Sequence, residues 1–217
     1  MKKLLFTIEF ILVFIILVLP PIVFPATNTN ELKINLSINS IYLLAASLYL
    51  YFSNRELLSK IKTSNQTNIF VLHSQFLISF SLLIAFSLFF QILFSKFLNN
   101  AESSVSVKPV LPANFIQYAS FFAQIIISAF YEEILYRFYI PQKLRIFIKE
   151  KYFVFAEIFS VLIFAFSHKY QGIAGISNAF FSGLILRFLF VKSGNIFVSA
   201  LCHIFYNLFI FFISALI

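Results

Sequence analysis

An all-α, polytopic transmembrane bundle of about seven spans is the fold class that three observations predict. Of 217 residues, 61% are hydrophobic and 11% charged, which is more apolar surface than a soluble domain can bury. The apolar residues gather into windows long enough to approach or cross roughly 30 Å of hydrocarbon. The basic residues fall between those windows, as the positive-inside rule requires.

The windows lie near residues 4–24, 38–53, 69–95, 111–140, 152–168, 173–191 and 196–217. Met1, Lys2 and Lys3 ahead of the apolar run Phe10 to Leu19 imitate a secretory signal peptide. Cleavage after Ala26 would put bulky Phe24 where a small residue is wanted, so the stretch is expected to stay as a first span. With the amino terminus inside, the inner segments hold Lys2, Lys3, Arg55, Lys60, Lys62, Lys143, Arg145, Lys149, Lys151 and Lys192. Lys33, Lys96, Lys108 and Lys169 fall outside, so the charges predict amino terminus in and carboxyl terminus out.

Polar stretches rich in Asn and Ser, Thr27 to Asn39 and Asn99 to Lys108, read as exposed loops. The second separates three amino-terminal spans (1–109) from four later ones (110–217), all expected in one integrated bundle. Gln142 to Tyr152 interleaves Leu144, Ile146, Phe147 and Ile148 with basic residues, which suits either an interfacial helix or an ordinary basic loop. The net charge of +8 is explained by these connections, so nucleic acid is not expected as a partner; membrane lipids are. Cys202 is the one cysteine, which excludes an intrachain disulfide and a cysteine-based metal framework.

The fourth window contains Glu132, Glu133 and Arg137. Each charge costs roughly 2.5–3.5 kcal/mol at a bilayer centre on insertion scales, so such groups face partners or a watery cavity. Glu133 and Arg137 are four apart on a helix and can pair. Glu132 lies about 100° round the helix from its neighbour and can face a cavity as a general base. A packing cluster without chemistry is the alternative at this point.

Two further windows add His168 and the pair His203 and Asn207, the latter four apart on one helix face. At a rise of about 1.5 Å per residue, Glu132, His168 and His203 lie about 20, 24 and 16 Å from the inner interface. They can therefore meet at one level. His73, Glu9 and Glu157 are expected near the inner ends of their spans, Arg187 is expected to reach the inner headgroups, and Gly172, Gly175, Ser182 and Gly183 read as packing positions.

Glu132-Glu133-x-x-x-Arg137, Phe164-x-x-x-His168 and His203-x-x-x-Asn207, in this order on late helices, resemble the CPBP intramembrane endopeptidases, which include CAAX prenyl proteases and Abi-type bacteriocin-processing and immunity proteins. The resemblance covers roughly 110–217. It implies that Glu132 activates water assisted by His168, that His203 and Asn207 form an oxyanion hole, and that Glu133 and Arg137 brace the site. It also implies a membrane-anchored peptide or protein substrate; a bacterial cytoplasmic membrane location is expected, with a cavity open to the cytoplasm to admit a peptide end. Glu132, His168 and His203 could supply three zinc ligands, but a metal-independent glutamate mechanism with no cofactor is preferred. The rival readings are a non-enzymatic scaffold or immunity protein, and a proton-coupled transporter using Glu132 and His168.

Overall fold

The computed structural model describes residues 2–23, 38–64, 68–98 and 111–216, among which all regular structure is helical. Helix α1 (Lys2–Val13) passes through a π-helical turn, Phe14–Val18, into α2 (Leu19–Val23). Helices α3 (Ile38–Ser53) and α4 (Arg55–Ser64) are divided at Asn54, whose side-chain amide donates to the Leu50 carbonyl at 3.0 Å. Then come α5 (Ile69–Leu98) and α6 (Phe115–Glu132), the latter started by Asn114, whose side-chain oxygen accepts from the Gln117 amide at 3.0 Å. A π-helical segment, Glu133–Tyr139, carries α6 into α7 (Ile140–Phe147). Helices α8 (Phe153–Ser167), α9 (Gly172–Ser193) and α10 (Ile196–Leu216) complete the chain.

Four stretches are long and apolar enough to cross a membrane: Leu4–Val23, Ile69–Phe94, Lys169–Ser193 and Ile196–Ala215. The other three expected spans differ for physical reasons. Helices α3 and α8 have 16 and 15 residues, so they fall short of roughly 30 Å of hydrocarbon at 1.5 Å per residue. The α6 stretch carries the two glutamates and the arginine. The basic stretch from Gln142 forms the end of α7 and, after a break, a 3-10 turn at Glu150–Tyr152. The loop expectations for Thr27 to Asn39 and Asn99 to Lys108 fall almost wholly outside the described residues.

Ring contacts set the direction of each helix. Phe10 of α1 lies 6.2 Å from Phe147 at the end of α7, and Tyr51 near the end of α3 lies 5.9 Å from Phe197 at the start of α10. Phe76 early in α5 lies 6.3 Å from Phe205, while Phe121 early in α6 lies 4.2 Å from Phe211 near the end of α10. Successive long helices therefore alternate in direction. Arg55, Lys143, Arg145, Lys149, Lys151 and Lys192 gather at one end of the bundle, and the α8–α9 turn with Lys169 lies at the other.

The π-helical segment is the centre of the molecule, with every residue from Glu133 to Tyr139 buried. Its widened ladder leaves carbonyls that neighbouring helices satisfy. Ser160 of α8 donates to the Tyr136 carbonyl and Arg187 of α9 to the Arg137 carbonyl. Pro141 has no N–H to offer that second carbonyl along the chain, which explains why a side chain takes over. The Arg187 guanidinium also forks onto both carboxylate oxygens of Glu157, and Arg145 reaches Glu157 at 2.5 Å. Arg187 is thus buried, and the expectation that it extends to the headgroups is corrected: a bidentate partner and an orphaned carbonyl hold it inside. Glu9 likewise has a partner, Lys143 at 2.8 Å.

Gly183 lets α9 approach α8 closely. A Cβ there would stand 3.1 Å from Val161 Cγ1 and 3.2 Å from Phe164 Cδ1. This matters because Phe164 is the ring on which the polar groups of the bundle are arranged.

Candidate active site

Glu132 ends α6 and Glu133 opens the π-helical segment, so the two carboxylates diverge where the helix widens. π-Helical turns within α-helices often occur at functional sites. Glu133 is fully buried, and its Oε1 lies 3.5 Å from Arg137 Nε. The Arg137 guanidinium stacks 3.9 Å above the Phe164 ring, and its nitrogens have no hydrogen-bond partner among the described residues. Its charge is balanced by the Glu133 carboxylate and the negative face of the ring. Pairing at four residues' spacing was expected; the aromatic platform was not.

Glu133 has a second task. Its Oε1 lies 3.0 Å from His203 Nδ1, from α10. An ionised carboxylate only accepts hydrogen bonds, so the proton of this contact belongs to Nδ1. Nε2 is then the atom the ring turns to Glu132, whose Oε2 lies 3.8 Å away. Glu132 is partly exposed to the cavity, with Ser128 Oγ donating to its Oε1 at 3.3 Å. Ser128 stands one turn before Glu132, a spacing visible in the sequence but not used.

His168 follows the last residue of α8 because the helix ends there: a 3-10 turn, Lys169–Gln171, leads to Gly172, whose φ of 72° reverses the chain at little cost only without a side chain. The His168 ring packs 4.7 Å from Phe164, and Nδ1 lies 2.9 Å from the Phe164 carbonyl. A carbonyl cannot donate, so Nδ1 carries the proton and Nε2 is left as the acceptor. The Phe-x-x-x-His spacing thus has a structural meaning. One residue supplies the carbonyl that fixes the His168 tautomer and the ring that supports Arg137.

Glu132, His168, His203 and Asn207 line one cavity of about 570 Å3 with Ser128, Asn178, Ser182 and Tyr206. A second recess, about 330 Å3, reaches Glu132 and His168 from the side of Pro20, Pro21 and Tyr42. Glu133 and Arg137 stay behind the wall. Ser128, Asn178 and Tyr206, the last lying between His203 and Asn207, join the cavity without a sequence motif that singles them out. His73 is remote, contacting the Ile69 carbonyl at 2.8 Å.

Each histidine keeps one nitrogen for the cavity, a pattern that also orients metal-ligating imidazoles. Among the described residues, however, no three His, Cys, Asp or Glu side chains come together as a metal would need.

The cavity lies in the half of the bundle that contains the α8–α9 turn, with exposed Tyr170 and Gln171 at its edge. The basic residues lie at the other end. Two expectations, basic end inside and cavity open to the cytoplasm, therefore concern opposite ends of the bundle.

A carboxylate, two imidazoles and a carboxamide around an open space, inside an apolar helical bundle, define the class: a membrane protein with the side chains of a hydrolytic site. Residues 114–209 match the model of the Rce1-like family, described as type II CAAX prenyl endopeptidase Rce1-like. That segment, which holds all seven motif residues, is similar to the family, in agreement with the resemblance carried by its motifs. The family is one of peptidases. No curated protein and no solved structure matches the chain.

Proposed function

We propose that the protein is an intramembrane endopeptidase that hydrolyses a peptide bond of a membrane-associated peptide or protein, CAAX-type carboxy-terminal processing being the activity its family suggests. The observation that carries this reading is the placing of Glu132 Oε2 3.8 Å from His203 Nε2 on a cavity shared with His168 and Asn207.

In this reading a water molecule lies between Glu132 and the Nε2 lone pair of His168. Glu132 takes a proton as the water oxygen attacks the scissile carbonyl carbon, a general-base contribution of about 10²–10⁴ in rate. The carbonyl oxygen becomes an oxyanion facing Asn207 Nδ2–H and, when the ring carries its second proton, His203 Nε2–H. Collapse of the tetrahedral intermediate breaks the C–N bond, and the leaving amine takes the proton held by Glu132. Glu133 acts through His203, fixing which nitrogen meets the oxyanion, while Arg137 keeps Glu133 ionised within an apolar wall.

The mechanism is proposed without a metal. The test is cleavage of a prenylated peptide ending in a CAAX sequence by protein in nanodiscs, with a chelator titrated in. Undiminished cleavage is expected, and loss restored by added zinc would replace the glutamate mechanism with a metal one.

Seven traverses with the basic end in the cytoplasm complete the proposal, supported by the alternation of helix direction and the positive-inside rule. The cavity edge then faces away from the cytoplasm, and the expected cytoplasmic mouth gives way. In a Cys202→Ala background, Gln171→Cys should react with a membrane-impermeant maleimide on intact cells and Lys149→Cys only after permeabilisation. The reverse pattern would invert the orientation and restore the cytoplasmic mouth.

A further inference from the structure

The α9–α10 wall of the cavity carries polar groups for which the proposed chemistry has no use. Asn178 Nδ2 donates to the Tyr206 hydroxyl oxygen at 2.8 Å, and both residues line the cavity shared by Glu132 and His203. That bond leaves Asn178 Oδ1 without a partner among the described residues. A phenol oxygen that accepts one hydrogen bond still has its own proton to donate. The pair therefore offers the cavity one acceptor and one donor. With the carboxamide turned round, Tyr206 donates to Oδ1, and an amide N–H and a phenol lone pair remain, so the offer is again one of each. One turn further along α9, Ser182 is 4% exposed, lines the same cavity and has a hydroxyl without a partner.

Polar atoms buried without partners cost about 1–3 kcal/mol each, so their grouping on one wall calls for something polar that docks there. The proposed reaction supplies it. A peptide drawn into a cavity inside the membrane loses water from every backbone N–H and C=O it brings, and each must find a partner. The Glu132, His203 and Asn207 side chains answer only the scissile carbonyl.

We propose that Asn178 and Tyr206 form a docking pair for one peptide unit of the substrate beside the scissile bond, accepting its N–H and donating to its C=O, with Ser182 extending the same polar strip. The inference rests on the peptidase reading of the cavity. Recognition of this kind is blind to side chains, so it holds an extended backbone in register with Glu132 whatever its sequence.

The test uses protein in nanodiscs and the fluorescent prenylated CAAX-type peptide. Binding is measured by anisotropy in a Glu132→Gln background, and cleavage with Glu132 intact. Tyr206→Phe removes only a hydroxyl and keeps the ring packed among Leu83, Leu186, Leu189 and Cys202; Asn178→Leu removes the carboxamide at similar volume. Each is expected to weaken binding about tenfold, roughly one neutral hydrogen bond left unmade. KM should rise by a similar factor with kcat nearly unchanged. Replacing single amides of the peptide by esters should weaken binding at one position, and at that position Asn178→Leu should be insensitive.

Unchanged binding and KM in both variants would overturn the inference, as would an ester effect of the same size in parent and Asn178→Leu; in either case, cleavage by the parent leaves the peptidase reading standing. Backbone-dependent binding without cleavage would keep the docking pair and remove the peptidase. No binding by the parent would remove both.

Discussion

Glu132→Gln is expected to lower peptide cleavage by a factor of about 10²–10⁴, the usual contribution of a positioned general base, with the fold intact. The substitution keeps shape and the Ser128 contact at 3.3 Å but removes the ability to take a proton. Glu132 is partly exposed to the cavity and stands 3.8 Å from His203, beyond hydrogen-bond reach, so the variant's thermal melt should match the parent's. Adjacent Glu133 provides the contrast. The Glu133→Gln variant should lose stability as well as activity, because the carboxamide cannot balance Arg137. Equal cleavage by Glu132→Gln and the parent would remove this residue from the chemistry.

Arg137→Ala should be the most destabilising single change, at about 3–5 kcal/mol, because it leaves Glu133 as an uncompensated buried charge. It also empties the space above Phe164, where the guanidinium sits 3.9 Å from the ring centroid. The double variant Arg137→Met with Glu133→Gln removes both charges at similar volume and should recover much of that stability. Activity should not return with it, since His203 then lacks the carboxylate that orients its Nδ1. Denaturant titration of the four proteins in detergent, with cleavage measured in parallel, checks both parts. An Arg137→Ala melt close to the parent's would contradict the pairing.

The parts of this site legible in the sequence are those that depend on spacing within a helix. Glu133 and Arg137 pair at four residues' distance, and Glu132 points elsewhere, as helical geometry requires. The agreement in depth among Glu132, His168 and His203 needed only the helical rise. What could not be read depends on contacts between helices. The π-helical segment is stabilised by Ser160 and Arg187, residues on other helices that satisfy its carbonyls, and no local pattern announces them. Arg187 looked like a headgroup ligand because its partner Glu157 stands thirty positions earlier, on α8. Phe164 was recorded as a motif letter, whereas its carbonyl and ring serve His168 and Arg137. Span counting agrees for the four long apolar stretches, whereas α3 and α8 are too short for length alone to decide whether they cross. The cytoplasmic mouth came from the need to admit a peptide end, a requirement that no spacing of residues expresses.

Hydrolysis by water activated at Glu132 is the step on which the proposed function rests. Its most direct test is mass spectrometry of the prenylated peptide after incubation in 18O-labelled water with the parent and with Glu132→Gln, both in nanodiscs. Cleavage by the parent alone is expected, with heavy oxygen in the newly formed carboxylate. An intact peptide with the parent, or the same labelled product from both proteins, would contradict it.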